Sequence, residues 1–370
     1  MRLLAGAAGS ALILLILWEA FETIVLPRRV PRRIRLTRLF YRSTWIPWSL
    51  VARRALSAER REAVLGFYGP LSLLVLLTVW AAGLIVGFAL LQWAGGSALQ
   101  GMDGMSPFTA DLYLSGTTFF TLGLGDVTPR STIARALTVI EAGMGFGFLA
   151  LVIGYLPVLY QSFSRREVNI SLLDARAGSP PTAAELLRRH APDRDLEGLR
   201  HLLRDWERWC AELLESHLSY PVLAYFRSQH DNQSWLAALT TILDVSALVL
   251  AGIDAGCRRE AQLTFAMARH AVADLAQVFN TPPIRGIRDR LPPAKLAALR
   301  AYLADAGLRS QEGSVAEQEF TRLRALYEPY VAALAGYLDM TIPDWLADTV
   351  EADNWQTTAW TLTPGGDREE

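Results

Sequence analysis

The chain has 370 residues with a formal net charge of −1, and 51% of the residues are hydrophobic, which is high for a wholly soluble protein. A charge near zero argues against a general attraction to nucleic acid. Cys210 and Cys257 are the only cysteines. Their spacing fits neither a metal site nor a disulfide framework, so we interpret them as isolated buried thiols.

The first apolar run, Leu3 to Leu26, is long enough to cross a bilayer as a helix. A cleaved signal peptide is the alternative. It is disfavoured because no Ala-x-Ala-like cleavage site follows the run, and because Glu19 and Glu22 precede the basic residues. We therefore predict a retained membrane span.

An arginine-rich segment follows the first run and contains Pro27 and Pro31. Such a density of arginine is typical of the cytoplasmic side of a membrane, which places the amino terminus outside. A voltage sensor is disfavoured because the arginines are often adjacent and no apolar run carries them. The stretch from Phe40 to Leu56 mixes aromatic residues with arginine, which suits a helix or a loop lying at the inner headgroup level.

Two further apolar runs are found, Leu65 to Trp93 and Ile133 to Tyr160. Between them lie a polar turret, Gly95 to Pro107, and a short segment, Phe108 to Phe120. That short segment cannot span a membrane. A helix that enters the membrane and returns as a loop explains its length, and its carboxyl end directs a partial negative charge toward a cation. Arg165 and Arg166 after the third run agree with the positive-inside rule.

A threonine-rich and glycine-spaced motif follows this short segment, in the order Thr117-Thr118-Phe119-Phe120-Thr121-Leu122-Gly123-Leu124-Gly125-Asp126. Backbone carbonyls can replace the hydration shell of a cation when successive residues turn them toward one axis. Gly123 and Gly125 can adopt the positive-φ conformations that this ladder needs. Thr121 adds a hydroxyl at the inner mouth of the ladder, and Leu122 and Leu124 are expected to point outward into the supporting protein. A phosphate-binding turn is the alternative, but the Gly-x4-Gly-Lys-Ser/Thr pattern is absent.

The motif resembles the pore loop of the potassium-channel superfamily, Thr-x-x-Thr-x-Gly-aromatic-Gly-Asp, except that Leu124 replaces the aromatic residue. The resemblance covers roughly residues 65–165 and implies an outer helix, a pore helix, a filter loop and an inner helix. It also implies a homotetramer, since one loop per chain needs four copies to close a ring. The implied filter residues are Thr121, Leu122, Gly123, Leu124 and Gly125, and the implied filter supports are Thr117, Thr118, Asp126 and Glu141.

The third run contains Glu141 and a row of alternating glycines, Gly143, Gly145 and Gly147. The family usually bends its inner helix near such a glycine, so the resemblance implies a gating hinge, with Gly145 nearest the expected place. Close helix packing through small residues is the alternative. Glu141 is expected to brace the pore from behind or, alternatively, to bind cations in the cavity. Asp126 resembles the carboxylate at the filter mouth, and a turn-capping aspartate is its alternative.

Beyond Arg165 the resemblance ends, and the remaining pattern predicts helices. Ala177 to Pro181 has the composition of a linker. Trp235 to Ile253 is interpreted as the buried centre of a helical bundle, with a fourth membrane span as the alternative. Neither a Rossmann glycine fingerprint nor a β-roll pattern is found, so the gating ligand is not identified. The tail from Asp353 is left open between disorder and docking on the bundle.

The sequence therefore predicts an all-α membrane protein with an extra amino-terminal transmembrane helix and a carboxy-terminal cytoplasmic helical bundle. The predicted divisions are a transmembrane helix (1–27), a basic interfacial segment (28–64), the pore domain (65–165), a linker (166–181), the helical domain (182–350) and a tail (351–370).

The expected function is a potassium-selective channel of the inner membrane, not an enzyme. We expect no cofactor besides permeant potassium, and no partner besides the bilayer and further copies of the chain. A weakly selective cation channel, or a membrane-anchored signalling protein with a degenerate pore, is the alternative.

Overall fold

The computed structural model describes residues 1–26, 36–101, 104–191, 197–253, 256–284, 286, 288–309, 311, 313–347 and 352–356. The helices in these ranges are α1 (Arg2–Ala20), α2 (Leu36–Ala55), α3 (Ala58–Ala94), α4 (Pro107–Phe119), α5 (Thr132–Ala177), α6 (Ala183–His190), α7 (Glu197–Ser219), α8 (Trp235–Ala251), α9 (Arg258–Val278), α10 (Pro293–Asp305), α11 (Ser314–Ala325) and α12 (Glu328–Leu338). A π-helical turn extends α1 to Val25, and a 3₁₀ helix covers Pro221–Tyr225. Strands β1 (Leu99–Gln100) and β2 (Thr128–Pro129) pair antiparallel.

Three helical segments are long and apolar enough to cross a membrane: Arg2–Val25, Arg60–Ala94 and Thr132–Ala177. They contain the three apolar runs of the sequence. Because α4 is only 13 residues long, or about 20 Å, it is shorter than the roughly 30 Å hydrocarbon core. In chain order, the additional apolar helix α1 comes first, and the short helix α4 lies between the long apolar helices α3 and α5.

The chain divides into two compact units. The first contains residues 1–57 and 67–161, and the second contains residues 58–66 and 162–370. Helices α3 and α5 each contribute residues to both units.

In the first unit, α1 packs closely against α3 through glycines. A Cβ atom added at Gly9 would lie 2.6 Å from the carbonyl oxygen of Gly87, and one added at Gly83 would lie 2.4 Å from the side chain of Ile16. The backbones can therefore approach closely only because these positions lack side chains. Helix α2 packs on α3 through Trp45, whose ring lies 4.8 Å from that of Tyr68.

In the second unit, α8 forms the centre of a helical bundle with α7 and α9. Every residue from Trp235 to Leu250 is buried. This burial agrees with the interpretation of the stretch as a bundle helix, and the helix length of 17 residues is short for a membrane span. Cys210 and Cys257 are both buried and unbridged, as predicted.

The predicted linker at 166–181 is wrong for most of its length. Helix α5 continues to Ala177, because Ile170 and Leu173 are buried in the second unit and hold these turns in place. The non-helical connection is confined to Gly178 through Thr182. Of the predicted basic segment, residues 28–35 lie outside the described residues, and α3 begins at Ala58 rather than at residue 65.

Candidate ion-conduction site

The short helix α4 has a defined start and a fixed position. Pro107 occupies its first turn, and the Ser106 hydroxyl accepts a hydrogen bond from the Thr109 amide (3.4 Å). A small core formed by Leu99, Ala110, Leu114 and Val127 packs beneath the turret and the end of the filter loop. This core fixes α4 relative to the loop that follows it.

In the candidate filter motif, Thr121–Gly125, the sign of the backbone φ angle alternates. Thr121, Gly123 and Gly125 have φ values of +56°, +58° and +78°, whereas Leu122 and Leu124 have negative φ. Alternation of this sign turns successive carbonyls toward one side of a ribbon, which is the arrangement that coordinates a dehydrated cation. The sequence predicts the positive φ angles at Gly123 and Gly125. It does not predict the positive φ at Thr121, because β-branched residues rarely adopt such an angle.

The filter ribbon is exposed along one face of the single chain. The side chains of Leu122 and Leu124 are 62% and 64% exposed, and the residues between Thr121 and Asp126 share this exposure. The ribbon is therefore an accessible edge and not a buried turn inside the helical packing.

Asp126 is held at the mouth of the ribbon. Its Oδ2 accepts a hydrogen bond from the Tyr113 hydroxyl (2.7 Å), and its Oδ1 accepts one from the Val127 amide (3.0 Å). The first contact joins the filter to α4, and the second is a local turn bond. Asp126 therefore has one contact with α4 and one within its own turn, so its role as a filter support stays a prediction.

Gly101, in the turret, is a site residue that sequence reasoning missed. A Cβ atom at this position would lie 1.8 Å from the carbonyl oxygen of Asp126, and its φ is +83°. Only glycine allows this approach to the filter mouth. The one available signal was a glycine next to a short β segment, which does not reveal the partner.

Thr117 and Thr118 contact the filter through their backbone carbonyls. The Leu122 amide donates to the Thr117 carbonyl (2.8 Å), and the Thr121 amide donates to the Thr118 carbonyl (3.0 Å). The Thr117 hydroxyl donates to the carbonyl of Leu114 within α4 (3.0 Å). These bonds fix the base of the ribbon on the last turn of α4.

Glu141 is fully buried in α5 and lies next to α4. Its Oε1 is hydrogen-bonded to the Ser115 hydroxyl, and the same hydroxyl lies 2.7 Å from the carbonyl oxygen of Ile85 in α3. Sequence reasoning missed Ser115, because a serine inside a short helix gives no sign of its partners. Glu141 is therefore linked to α4 through Ser115, and its role as a brace stays a prediction.

The three glycines of α5 have different surroundings. A Cβ atom at Gly145 would lie 2.0 Å from the carbonyl oxygen of Phe119, whereas one at Gly143 or Gly147 would meet no atom within 4 Å. Gly145 is therefore a close-packing position beneath the last turn of α4. Helix α5 is continuous through all three glycines.

The second unit holds the final turns of α5 through Arg166. This buried guanidinium donates to the carbonyls of Leu223 (2.8 Å) and Phe226 (2.9 Å), and its Nη1 lies 3.4 Å from Nε2 of His217. The His217 Nδ1 lies 2.8 Å from the Leu213 carbonyl, so Nδ1 carries the proton and Nε2 accepts. Burial, together with the neighbouring Arg166, lowers the pKa of His217 to about 3, so the ring stays neutral.

The same unit also holds the first turns of α3. Arg227 lies 3.6 Å from Glu62 and donates to the carbonyl of Leu338 (2.7 Å). We call residues 223–227 the coupling segment. Arg166 of α5 donates to two carbonyls of this segment, and Arg227, which belongs to the segment, contacts Glu62 at the start of α3. One short stretch of the second unit therefore contacts both long helices.

Comparison with known proteins adds independent information on this region. Residues 74–161 match a protein family described as Ion channel. A curated relative, the uncharacterized membrane protein YdjJ of Bacillus subtilis (strain 168), is 23% identical over 256 residues, which cover 68% of this chain and 73% of the relative. No solved structure gives a significant match.

The matched segment contains α4, the filter motif and most of the membrane length of α3 and α5. It lies inside the region recognised from the motif. The recognition is confirmed: residues 74–161 are similar, in sequence and in order of elements, to the pore module of the potassium-channel superfamily.

Proposed function

We propose that the protein is a potassium channel in which four identical chains surround one conduction path. The observation that carries this proposal is the alternating backbone of Thr121–Gly125, placed at the end of a short helix between two apolar helices. Such a ribbon offers carbonyl oxygens in place of ion hydration, without a cofactor or a bound catalytic metal.

The tetramer is supported by the surfaces of the single chain. One ribbon supplies one quarter of a carbonyl ring, so four copies close it. The ribbon is exposed, and α5 carries exposed large apolar side chains beside it, including Ile133, Val139 and Phe146. We propose that part of this apolar surface packs against neighbouring copies and part against lipid.

Potassium selectivity is proposed together with a specific deviation. Leu124 cannot donate the hydrogen bond that an aromatic hydroxyl makes at this position in the family. The Tyr113–Asp126 bond ties the upper filter to the pore helix, although at a different level of the loop. We propose that this bond maintains the filter, and that a weakly selective monovalent cation channel is the second candidate because of Leu124.

Gating is proposed to pass through the second unit, on the cytoplasmic side of the inner membrane. Arg166 and Arg227 bring the ends of α5 and α3 under the control of the coupling segment. A displacement of this segment would move both helices.

The test uses the full chain reconstituted in liposomes with a potassium flux assay. The Gly123→Ala variant places a side chain at φ +58°, which costs about 1–2 kcal/mol in each copy and distorts the ribbon. We expect flux to be lost. Gly116→Ala is the matched control, because Gly116 lies inside α4 with open space around it and should retain flux.

Two outcomes separate the alternatives. Reversal potentials in mixed potassium and sodium distinguish a selective channel from a weakly selective one. If the wild-type chain carries no cation current, or if Gly123→Ala conducts as well as Gly116→Ala, the channel proposal is wrong and the signalling alternative gains support.

A further inference from the structure

Three helices of the pore module meet at one buried hydroxyl group. Ser115 of α4 and Glu141 of α5 are both fully buried, and their side chains are hydrogen-bonded to each other. The Ser115 hydroxyl also lies 2.7 Å from the carbonyl oxygen of Ile85 in α3. This chain of contacts joins the pore helix to the helices on both sides of it.

The number of available protons constrains this arrangement. A serine hydroxyl carries one proton, and a backbone carbonyl can only accept a hydrogen bond. The Ser115 proton can therefore serve only one of the two acceptors, the Ile85 carbonyl or the Glu141 carboxyl group. An ionised glutamate can only accept, so one of these two contacts then has no proton.

A protonated Glu141 supplies the missing proton, so that both contacts of Ser115 are hydrogen bonds. The acid donates from Oε1 to the Ser115 oxygen, and Ser115 donates to Ile85. The second oxygen, Oε2, has no hydrogen-bond partner among the described residues. A buried oxygen of a neutral acid is much less costly to leave unpaired than one of a carboxylate.

The charged groups on the surrounding helices are engaged elsewhere. On α4, Asp111 accepts a hydrogen bond from Ser97 (2.6 Å), and Tyr113 donates to Asp126. On α5, Arg135 donates to the carbonyl of Pro129 (3.2 Å). The membrane part of α3, from residue 69 to 94, contains no titratable residue. In the described part of the chain, no cation forms an ion pair with Glu141.

We infer that Glu141 is a neutral carboxylic acid that positions the pore helix by donating its proton to Ser115. This inference rests on the proposed function for its effect on conduction, and on hydrogen-bond geometry for the proton itself. When Glu141 ionises, it needs the Ser115 proton, and the link to Ile85 is broken. The support behind the filter then depends on one proton in each copy.

The flux test compares Glu141→Gln with Glu141→Ala across a range of pH. A glutamine amide can donate to Ser115 as the acid does. We expect Glu141→Gln to conduct within about twofold of the wild type, and Glu141→Ala to conduct at least about tenfold less. Wild-type flux should fall as alkaline pH ionises Glu141, whereas Glu141→Gln should show no such fall.

The inference is overturned if Glu141→Gln loses flux as completely as Glu141→Ala, since an ionised carboxylate would then be required. It is also overturned if wild type and Glu141→Gln share the same alkaline profile.

Infrared difference spectroscopy supplies a readout that does not depend on conduction. The protonated acid should give a carbonyl stretching band that is present in the wild type at neutral pH, absent in Glu141→Gln, and shifted in Ser115→Ala. Absence of the band in the wild type contradicts the inference even if the channel conducts. Presence of the band in a chain that carries no current supports the inference while the channel proposal fails.

Discussion

Gly145 joins the inner helix directly to the base of the filter. Its α-carbon faces the Phe119 carbonyl at the last turn of α4, where no side chain fits. The rings of Phe119 and Phe148 lie 5.7 Å apart and extend this contact by one turn. A movement of α5 at this level therefore requires a movement of Phe119, two residues before Thr121.

Substitution of the three glycines separates packing from hinge bending. Gly145→Ala places a methyl group 2.0 Å from the Phe119 oxygen, so we expect loss of flux and a less stable assembly. Gly143→Ala and Gly147→Ala have open space and add about 1 kcal/mol of helix propensity each, so both should assemble normally. Flux and thermal stability of the three purified variants check this prediction.

The opposite result would favour hinge bending over packing. If Gly145→Ala assembles and conducts normally while Gly143→Ala or Gly147→Ala abolishes flux, then flexibility at those positions matters more than packing at Gly145.

Single residues differ in how far the sequence could predict them. Gly123 and Gly125 follow from the motif, because only glycine adopts positive φ without strain. Ser115 and Gly101 could not be predicted, since their roles depend on a carbonyl or a carboxyl group supplied by a distant part of the chain. The site is therefore predictable where the local backbone determines it, and not where tertiary contacts do.

At the scale of elements, the last turns of α5 belong to the helical unit. Arg166 satisfies two carbonyls of the coupling segment, and the rings of Phe163 and Phe226 lie 5.6 Å apart beside it. Trp209 donates from its indole nitrogen to the Arg166 carbonyl (3.3 Å). These hydrogen bonds and ring contacts hold the end of α5. Among the described residues, Arg166 forms its ion pair with the adjacent Glu167.

Replacement of Arg166 tests this attachment. Arg166→Met leaves the carbonyls of Leu223 and Phe226 buried without donors, so we expect a loss of about 2–5 kcal/mol in the free energy of unfolding. Arg165→Met is the matched control, since Arg165 is the adjacent and exposed arginine. Thermal unfolding of the full chain in detergent measures both. Equal melting temperatures for the two variants would contradict the assigned role of Arg166.

The extent of α5 differs from the predicted division of the chain. The linker composition lies in Ala177 to Pro181, but the predicted linker begins at residue 166, where the pore resemblance ends. Ile170, Leu173 and Ala177 nevertheless recur at helical spacing and are buried. The helical pattern determines the structure here, because a buried apolar face stabilises a helix more than polar residues on its other face weaken it.

At the scale of the whole molecule, the described start of the tail docks on the helical unit. Asp353 forms two hydrogen bonds with Arg189 (2.7 and 3.0 Å), and this arginine lowers the pKa of the Asp353 carboxyl. The Trp355 amide donates to Asp174 near the end of α5 (3.3 Å). The choice that the sequence left open is therefore decided for residues 352–356, and the rest of the tail lies outside the described residues.

Two deletions test the contribution of this docking. Deletion of residues 353–370 removes the bonds to Arg189 and Asp174, and we expect it to lower the free energy of unfolding by about 1–3 kcal/mol. Deletion of residues 357–370 keeps those bonds, so the difference in melting temperature between the two deletions measures the contribution of residues 353–356. If both deletions have the same effect, residues 353–356 contribute no stability.

Helix α5 is 46 residues long, or about 69 Å, more than twice the thickness of a hydrocarbon core. A hydrocarbon core takes up only about 20 helical residues, so more than half of α5 has to lie outside it, in the headgroup layer, in water or against protein. The burial of Ile170, Leu173 and Ala177 shows that protein covers one face of its final turns.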